Sequence, residues 1–337
     1  MGKDKSQNFF IENNNTDPRY NLAIEQFVFE SLRKDNSFFM LWRNNNSVIV
    51  GKNQNTMAEV NAAYAKEKNI SVIRRQSGGG AVYHDLGNIN YTFISGSNEK
   101  SKIDFPFFCE PVKNALNHFG VPAEISGRND MTVNGLKISG NAQFIKNGRV
   151  LHHGTLLYDS NLDELSNVLN SDNSKFESKG IKSIKSRVTN IRPFMKEDMP
   201  AEIFLNKLSK YLSDVLNLSE YILSSDELIE IENIKERVYS QWSWNYGASP
   251  PCNIRKIHRV ENCGSIEILL DTGKNGVINN IYFFGDFFGQ IDTCGLSEIL
   301  HGHHYELNEI KTSINNIDIS KYFNNIDIDT FLKILFD

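Results

Sequence analysis

The segment from Arg74 to Asp85, RRQSGGGAVYHD, constrains this chain more than any other. Three consecutive glycines stand between two apolar runs that read as strands, Ser71-Val72-Ile73 before them and Asn88 to Ile94 after them. Glycine tolerates positive φ and lets other groups approach the backbone closely, so a tight turn between strands is expected. Successive free N–H groups in such a turn form an anion nest. An adjacent arginine offers a planar, permanently charged fork for phosphate or carboxylate. The same residues also suit a plain glycine-rich hairpin turn with two surface arginines. The common nucleotide motifs are absent: there is no G-x-x-x-x-G-K-[ST], and the glycines fit no G-x-G-x-x-G and lead into a strand instead of a helix.

A second segment adds a lysine. Gly127-Arg128-Asn129-Asp130 precedes Met131-Thr132-Val133, the pair Asn134-Gly135, and Leu136-Lys137-Ile138-Ser139-Gly140-Asn141-Ala142. Asn-Gly between apolar runs is a strong hairpin signal. Strand alternation sets Lys137, Ser139, Asn141 and Gln143 on one face, with Ile138, Ala142 and Phe144 on the other. A turn at Asn147-Gly148 leads to a further strand from Val150 to Leu157. The result is a meander whose polar stripe holds one lysine, which suits either a solvated face or a site.

At 337 residues the chain exceeds a typical single core, so one large and one small domain are expected, joined near Gly247 to Pro251. The net charge of −5 leaves no global basic footprint for nucleic acid. No apolar run reaches the ~18 residues of a membrane span. MGKDKSQ lacks the apolar stretch of a signal peptide. It fits the M-G-x-x-x-[ST] acylation pattern, but no second membrane signal accompanies it, and a cytoplasmic protein is expected. The four cysteines, Cys109, Cys252, Cys263 and Cys294, form no C-x-x-C and read as free thiols of a reducing compartment. His301, His303 and His304 match no standard zinc spacing and read as a solvated loop. Asp17-Pro18 reads as an N-cap and first helical residue. Further helices are expected near residues 57–68, 111–119, 162–169, 202–216, 226–240, 295–301 and 330–336. Further strands are expected near 9–11, 38–42, 47–50, 265–270 and 277–284.

The motifs RRQSGGGAVYHDLGNINYTF, SGRND, KISGNAQ, HHGTLL and KGIKSIKSRVTNI follow one another, with Trp242-Ser243-Trp244-Asn245-Tyr246-Gly247 after them. On these motifs the chain resembles the lipoate–protein ligase A family over nearly its whole length. The resemblance implies an α+β architecture. A catalytic domain over residues 1–246 takes the biotin/lipoate ligase (class II synthetase-like) fold, with mixed β-sheets and flanking helices. A small α+β accessory domain takes residues 247–337. The implied activity is ATP-dependent lipoylation. The lipoate carboxylate attacks the α-phosphate of ATP, giving lipoyl-AMP and pyrophosphate. A lysine of an acceptor domain then attacks the mixed anhydride and releases AMP. Catalysis of this kind rests on positioning and charge stabilisation. The implied acceptors are the glycine-cleavage H protein and E2 subunits of 2-oxoacid dehydrogenases, and the implied state is a monomer, with no nucleic-acid or membrane partner.

By the same resemblance Lys137 is the essential lysine, bridging the lipoate carboxyl group and the α-phosphate. Arg75, the stretch Gly80, Ala81, Val82 and Tyr83, and also Asn88, Asp130 and Lys137 match ATP or adenylate positions, with Mg²⁺ assigned to Asp130. Arg75, Ser77, Gly78, Gly79, His84, Lys137 and His153 match the lipoate side. Lys179, Gly180, Lys182, Ser183, Lys185, Ser186 and Arg187 match the adenylate-binding loop. Between Lys175 and Arg192 six basic residues face the single acid Glu177. The resemblance makes this segment a lid that adds positive potential over phosphates and keeps water from the anhydride. Two other functions compete. A cysteine-dependent octanoyl or lipoyl transferase of the same fold needs an activated thiolate in the site, and no cysteine lies in the glycine turn or the lysine hairpin. A non-catalytic lipoate-binding regulator has no need of Arg75, Asp130 and Lys137 together. The basic glycine-arginine loop of biotin ligases is not visible.

Overall fold

The computed structural model describes residues 7–96, 103–169, 187–246, 254–273 and 276–336. Among them the chain forms β1 (Asn8–Phe10), β2 (Ser37–Trp42), β3 (Ser47–Val50), β4 (Ser71–Arg74), β5 (Val82–His84), β6 (Asn88–Gly96) and β7 (Glu124–Ser126). There follow β8 (Asp130–Val133), β9 (Leu136–Lys146), β10 (Arg149–Leu157), β11 (Ser219–Glu220), β12 (Ile254–Val260), β13 (Gly264–Thr272) and β14 (Ile278–Gly285). The largest sheet has the order β11-β1-β2-β6-β10-β9-β8-β7. It is mixed: β1 runs parallel to both neighbours, while β2, β6, β10 and β9 alternate in direction. A second sheet, β4-β3-β5, pairs β3 with β4 in parallel and with β5 antiparallel. A third, antiparallel sheet, β12-β13-β14, belongs to the C-terminal part.

Strand alternation divides the large sheet between two cores. Phe39, Leu41 and Tyr91 face the helices Phe105–His118 and Ala201–Leu216. Phe38, Met40 and Trp42 face the opposite way, toward the helices Pro18–Ser31 and Ser225–Ile234, together with Ile49 and Ile73 of the second sheet. The second sheet therefore lies on the same side of the large sheet as Trp42, and the gap between them is where a ligand fits. Residues from Cys263 onward build a separate core around Ile268, Phe283, Phe323 and Phe331.

Several local expectations hold for the reasons given. The Asp17 side chain accepts from the Arg19 N–H at 3.0 Å with Pro18 at the first helical position. Asn134 and Gly135 take φ of 51° and 77° and turn β8 into β9. Other expectations are corrected. The helix expected over residues 57–68 is two pieces, Thr56–Glu59 and Ala62–Glu67. Val60 leaves the helix to bridge Leu169, and Asn61 starts the second piece by accepting from the Tyr64 N–H. The helix expected from Pro111 starts at Phe105, capped by Asp104, and carries Pro111 in its interior. β12 was not foreseen, because Ile254-Arg255-Lys256-Ile257-His258-Arg259-Val260 reads as a charged stretch. Among the described residues no helix is long and apolar enough to cross a membrane.

Two buried arginines hold these parts together. Arg149 closes the end of the helix Pro18–Ser31 by donating to the carbonyls of Phe29 at 2.8 Å and Leu32 at 2.9 Å, groups a helix end leaves unpaired. Arg74 donates to the carbonyls of Gly51, Lys52, Gln54 and Trp244 and to Thr56 Oγ1, at 2.6 to 2.9 Å. It thereby ties the segment Trp242–Asn245 to the edge of the second sheet. Burial holds both guanidinium groups down to about 10, so both stay charged at neutral pH. Arg74→Met is expected to lower stability by about 3 kcal/mol, because several buried carbonyls lose a charged donor at once. Denaturant unfolding with an unchanged slope and a lower midpoint checks this; an unchanged midpoint contradicts it.

Candidate active site

The glycine turn joins β4 to β5 as a roof over the large sheet. Gly79 adopts φ of 90°, a conformation costly for other residues, and a Cβ on Gly78 would collide with the Phe287 carbonyl. Arg75 fixes the turn from inside. Its Nε donates to Ser77 Oγ at 2.9 Å, Nη1 to the Ile49 carbonyl at 3.0 Å, and Nη2 to the carbonyls of Gly78 and Gly80 at 2.7 and 2.9 Å. Four of its five donor hydrogens are thus committed to protein. Burial lowers its pKa to about 10 while Glu25 opposes that shift, so it remains a cation.

Ser77 continues inward. Its Oγ lies 2.6 Å from His153 Nε2, and His153 Nδ1 lies 3.0 and 3.1 Å from the two oxygens of Glu25. Glu25 in turn accepts a short hydrogen bond from Thr92, whose Oγ1 accepts from Trp42 Nε1 at 2.9 Å. Glu25 is 3 % exposed and the pair His153–Glu25 satisfies what would otherwise be a costly buried charge.

Lys137 reaches the site through a break in strand phase. Met131 pairs with Ser139, but the next residue, Thr132, pairs with Lys137, leaving Ile138 as an extra residue in β9. The stripe expected from strict alternation is therefore corrected. Ser139, Asn141 and Gln143 are buried, with Asn141 bonded to Tyr91 and Asn129 and Gln143 to His152 and Asp104. Lys137 breaks from them and opens on a cavity, its Nζ 2.7 Å from Asp130 Oδ1. Its backbone is gripped on the other side. The Lys137 N–H donates to the Arg187 carbonyl at 2.8 Å and the Thr189 N–H donates to the Lys137 carbonyl at 2.9 Å. The end of the basic segment is rooted beside the lysine.

Two cavities meet there. A wide one of about 790 Å³ is walled by Gly80, Ala81, Val82, Tyr83, Asp130 and Lys137, with Arg187 and the C-terminal residues Arg255, Glu267 and Asp286. A narrow one of about 120 Å³ lies between the two sheets, walled by Trp42, Arg75, Gly79, His84, Asn90 and His153. Gly80, Ala81, Val82, Lys137, Gly140 and Thr155 belong to both. The wide cavity has room for a polar nucleotide-sized group and the narrow one for a slender chain.

The structure brings most of the sequence-selected residues together. Ser77 and Gly78 stand just behind the wall, bracing it. Asn88 lies on neither wall; it is buried and donates from Nδ2 to Asn90 Oδ1 at 2.9 Å. Of the basic loop, Arg187 lines the wide cavity, while Lys179, Gly180, Lys182, Ser183, Lys185 and Ser186 lie outside the described residues. Glu25, Trp42 and Asn90 were missed because nothing local marks them; strand pairing sets Trp42 and Asn90 on the wall of the narrow cavity, and the packing of the first long helix brings Glu25 to His153. The C-terminal contribution was also missed. Phe288 packs into the large core with its ring 5.3 Å from Phe105, Arg128 lies 4.8 Å over it, and Lys52 pairs with Asp292 at 2.6 Å.

Among the described residues, cysteine chemistry finds no support at this site. Cys109 is fully buried, lines neither cavity, and has Tyr91 Oη at 3.9 Å and His152 Nε2 at 4.0 Å. Burial pushes its thiol up to about 11 and holds His152 well below the usual histidine range, so neither provides a thiolate–imidazolium pair. His303 and His304 both turn Nδ1 to Glu309, and among the described residues no group of three His, Cys, Asp or Glu side chains is placed to hold a metal ion.

A wide and a narrow cavity meeting at one lysine is the layout of an enzyme that joins two substrates. Residues 17–213 match the lipoyl protein ligase A/B catalytic domain and residues 249–335 the bacterial lipoate protein ligase C-terminus, and the chain belongs to this family of lipoate–protein ligases. It is 44% identical over 331 residues to the lipoate-protein ligase LplJ of Bacillus subtilis, covering 97% of this chain and 99% of that one. Among solved structures it resembles P. falciparum LipL1 in complex with lipoate, with a TM-score of 0.74, 26% identity and 97% of each chain covered. It also resembles lipoate-protein ligase A bound with ATP, with a TM-score of 0.60 and 26% identity over 72% of this chain and 99% of that one.

Thiol alkylation checks the exclusion of Cys109. At mildly alkaline pH the folded protein is expected to keep Cys109 unmodified and to expose it only on unfolding. Rapid labelling of Cys109 in the folded protein, with loss of activity, contradicts the site described here.

Proposed function

We propose that this chain is an ATP-dependent lipoate–protein ligase that works through lipoyl-AMP. The observation that carries the reading is Lys137 at the junction of the two cavities. Lipoate enters the narrow cavity with its carboxylate toward Lys137, and ATP takes the wide cavity along Gly80, Ala81, Val82 and Tyr83. The ammonium then neutralises the carboxylate and the α-phosphate as they approach, and afterwards the charge that builds at phosphorus. One carboxylate oxygen bonds to phosphorus as the bond to the leaving pyrophosphate breaks. In the second step the acceptor amine attacks the acyl carbon, loses a proton, and displaces AMP.

Asp130 holds Lys137 in place before substrate arrives. Magnesium comes as part of the MgATP substrate. It takes most of its ligands from phosphate and water and asks for only one or two carboxylates, a demand that Asp130 alone suits. Arg75, with its donors committed to the turn, acts as a brace with a positive field, and Ser77, Gly78 and Gly79 shape the wall. Arg187 and the basic residues before it cover the phosphates. Asn88 acts from behind the wall through Asn90. Residues 1–246 form the catalytic domain and 247–337 an accessory domain that closes one side of the nucleotide cavity. The acceptors are apo lipoyl domains of the H protein or of E2 subunits, and the enzyme works as a cytoplasmic monomer.

Purified protein with lipoate, MgATP and labelled pyrophosphate is expected to show lipoate-dependent exchange without any acceptor. Lys137→Ala is expected to fold normally and to lose exchange by ~10²-fold or more, the scale of one well-placed charge-stabilising group. No exchange in the folded wild-type protein overturns the adenylating reading; near-normal exchange in the variant removes Lys137 from the chemistry.

A further inference from the structure

Lys137 lies against a glycine that its own backbone does not require. On β9, Lys137 pairs with Thr132 and Gly140 with Asp130. The extra residue at Ile138 puts Lys137 and Gly140 on the same face of the strand. Both line both cavities. The ladder between β9 and β10 ends at the pair Asn141–Gly154, and the Gly140 N–H donates to Thr155 Oγ1 at 3.2 Å instead. Gly79 and Gly135 hold positive φ, whereas Gly140 does not, so residues with side chains fit this backbone. Glycine inside a strand also weakens it. The reason for Gly140 is therefore not the conformation of the chain.

The missing side chain leaves room for the lysine. A Cβ built on Gly140 would stand 3.0 Å from Lys137 Nζ and 3.1 Å from its Cε, and beyond the chain neighbours it would meet nothing else within 4 Å. The end of the Lys137 side chain thus rests across the bare Cα of Gly140. From there the ammonium meets Asp130 Oδ1 at 2.7 Å, on the residue paired with Gly140. Its contact with Asp130 and its place at the boundary of the cavities share one gap.

We propose that Gly140 is a positioning residue, whose bare Cα is the seat from which the Lys137 ammonium acts on the carboxylate and the α-phosphate. The inference rests on the ligase reading above. A methyl group on this seat meets only the far end of a flexible side chain, so Lys137 swings aside and the fold is spared. Catalysis is not spared, because a misplacement of ~1 Å costs up to ~10²-fold. The same substitution removes a glycine from a strand whose backbone accepts alanine, which favours the folded state. Stability and activity then move in opposite directions, a signature that a packing role does not produce.

The test is Gly140→Ala in the full-length protein. Its unfolding midpoint is expected to hold or rise, while the maximal rate of lipoate-dependent pyrophosphate exchange falls by ~10-fold or more. Lipoate affinity, measured by calorimetry without ATP, is expected to hold. In the Lys137→Ala background the same substitution is expected to leave the residual exchange unchanged, because the group it displaces is gone. Normal exchange in Gly140→Ala overturns the proposal. A lowered midpoint also overturns it, because the glycine is then a packing requirement. So does a loss of lipoate binding that matches the loss of rate, or a further loss in the Lys137→Ala background, because Gly140 then makes room for the acid and not for the lysine. Absence of exchange in the wild-type protein contradicts the ligase reading itself, and the proposal falls with it.

Discussion

The site depends on one chain of buried hydrogen bonds, Arg75–Ser77–His153–Glu25–Thr92–Trp42. It starts in the glycine turn, passes through β10 and the first long helix, and ends in β6 and β2. A turn with three glycines has many conformations when free, and its entropy opposes a fixed roof. The chain offsets this by spending the Arg75 donors on the turn's own carbonyls and anchoring Ser77 to the sheet below. It also solves a charge problem. Glu25 is buried and is tolerable because His153 meets both its oxygens and Arg75 adds a positive field. Roof, floor and helix are thereby set at one spacing, and that spacing is the narrow cavity.

The wide cavity is built differently. Its walls come from the glycine turn, the lysine hairpin and the C-terminal part, which meet through Phe288, Arg128 and the Lys52–Asp292 pair. Charges crowd it: Lys137, Arg187 and Arg255 face Asp130, Glu267 and Asp286. A polar cavity of this kind suits phosphates, while the narrow cavity with Trp42, Leu22 and Ile49 suits a chain. One ammonium stands at their boundary, and the bulge at Ile138 is what places it there.

Much of this was legible in the sequence, in proportion to how local the physics is. Asp17-Pro18 and Asn134-Gly135 are decided by neighbours in the chain, and both formed as read; the glycine turn also formed, but it leads into β5, a strand that was not foreseen and that pairs with β3 instead of β4. Lys137, Arg75 and His153 were marked as site residues through the family resemblance, and the structure places all three on cavity walls. The bulge was not legible, because an extra residue in β9 is visible only against β8. Glu25 meets a histidine 128 residues away, and Arg74 meets Trp244 across 170 residues, so neither carries a local signal. Pro111 misplaced a helix start because proline is read as a beginning, while the Asp104 cap lay nearly two turns earlier.

The account makes the acid's own oxygen the atom that joins it to phosphorus. Lipoate carrying heavy oxygen in its carboxylate, turned over with unlabelled ATP and an apo lipoyl domain, tests this directly by mass spectrometry of the products. The account predicts that the AMP released carries one labelled oxygen and that the acceptor gains the lipoyl mass. Unlabelled AMP, or acceptor acylation that releases no AMP, contradicts it.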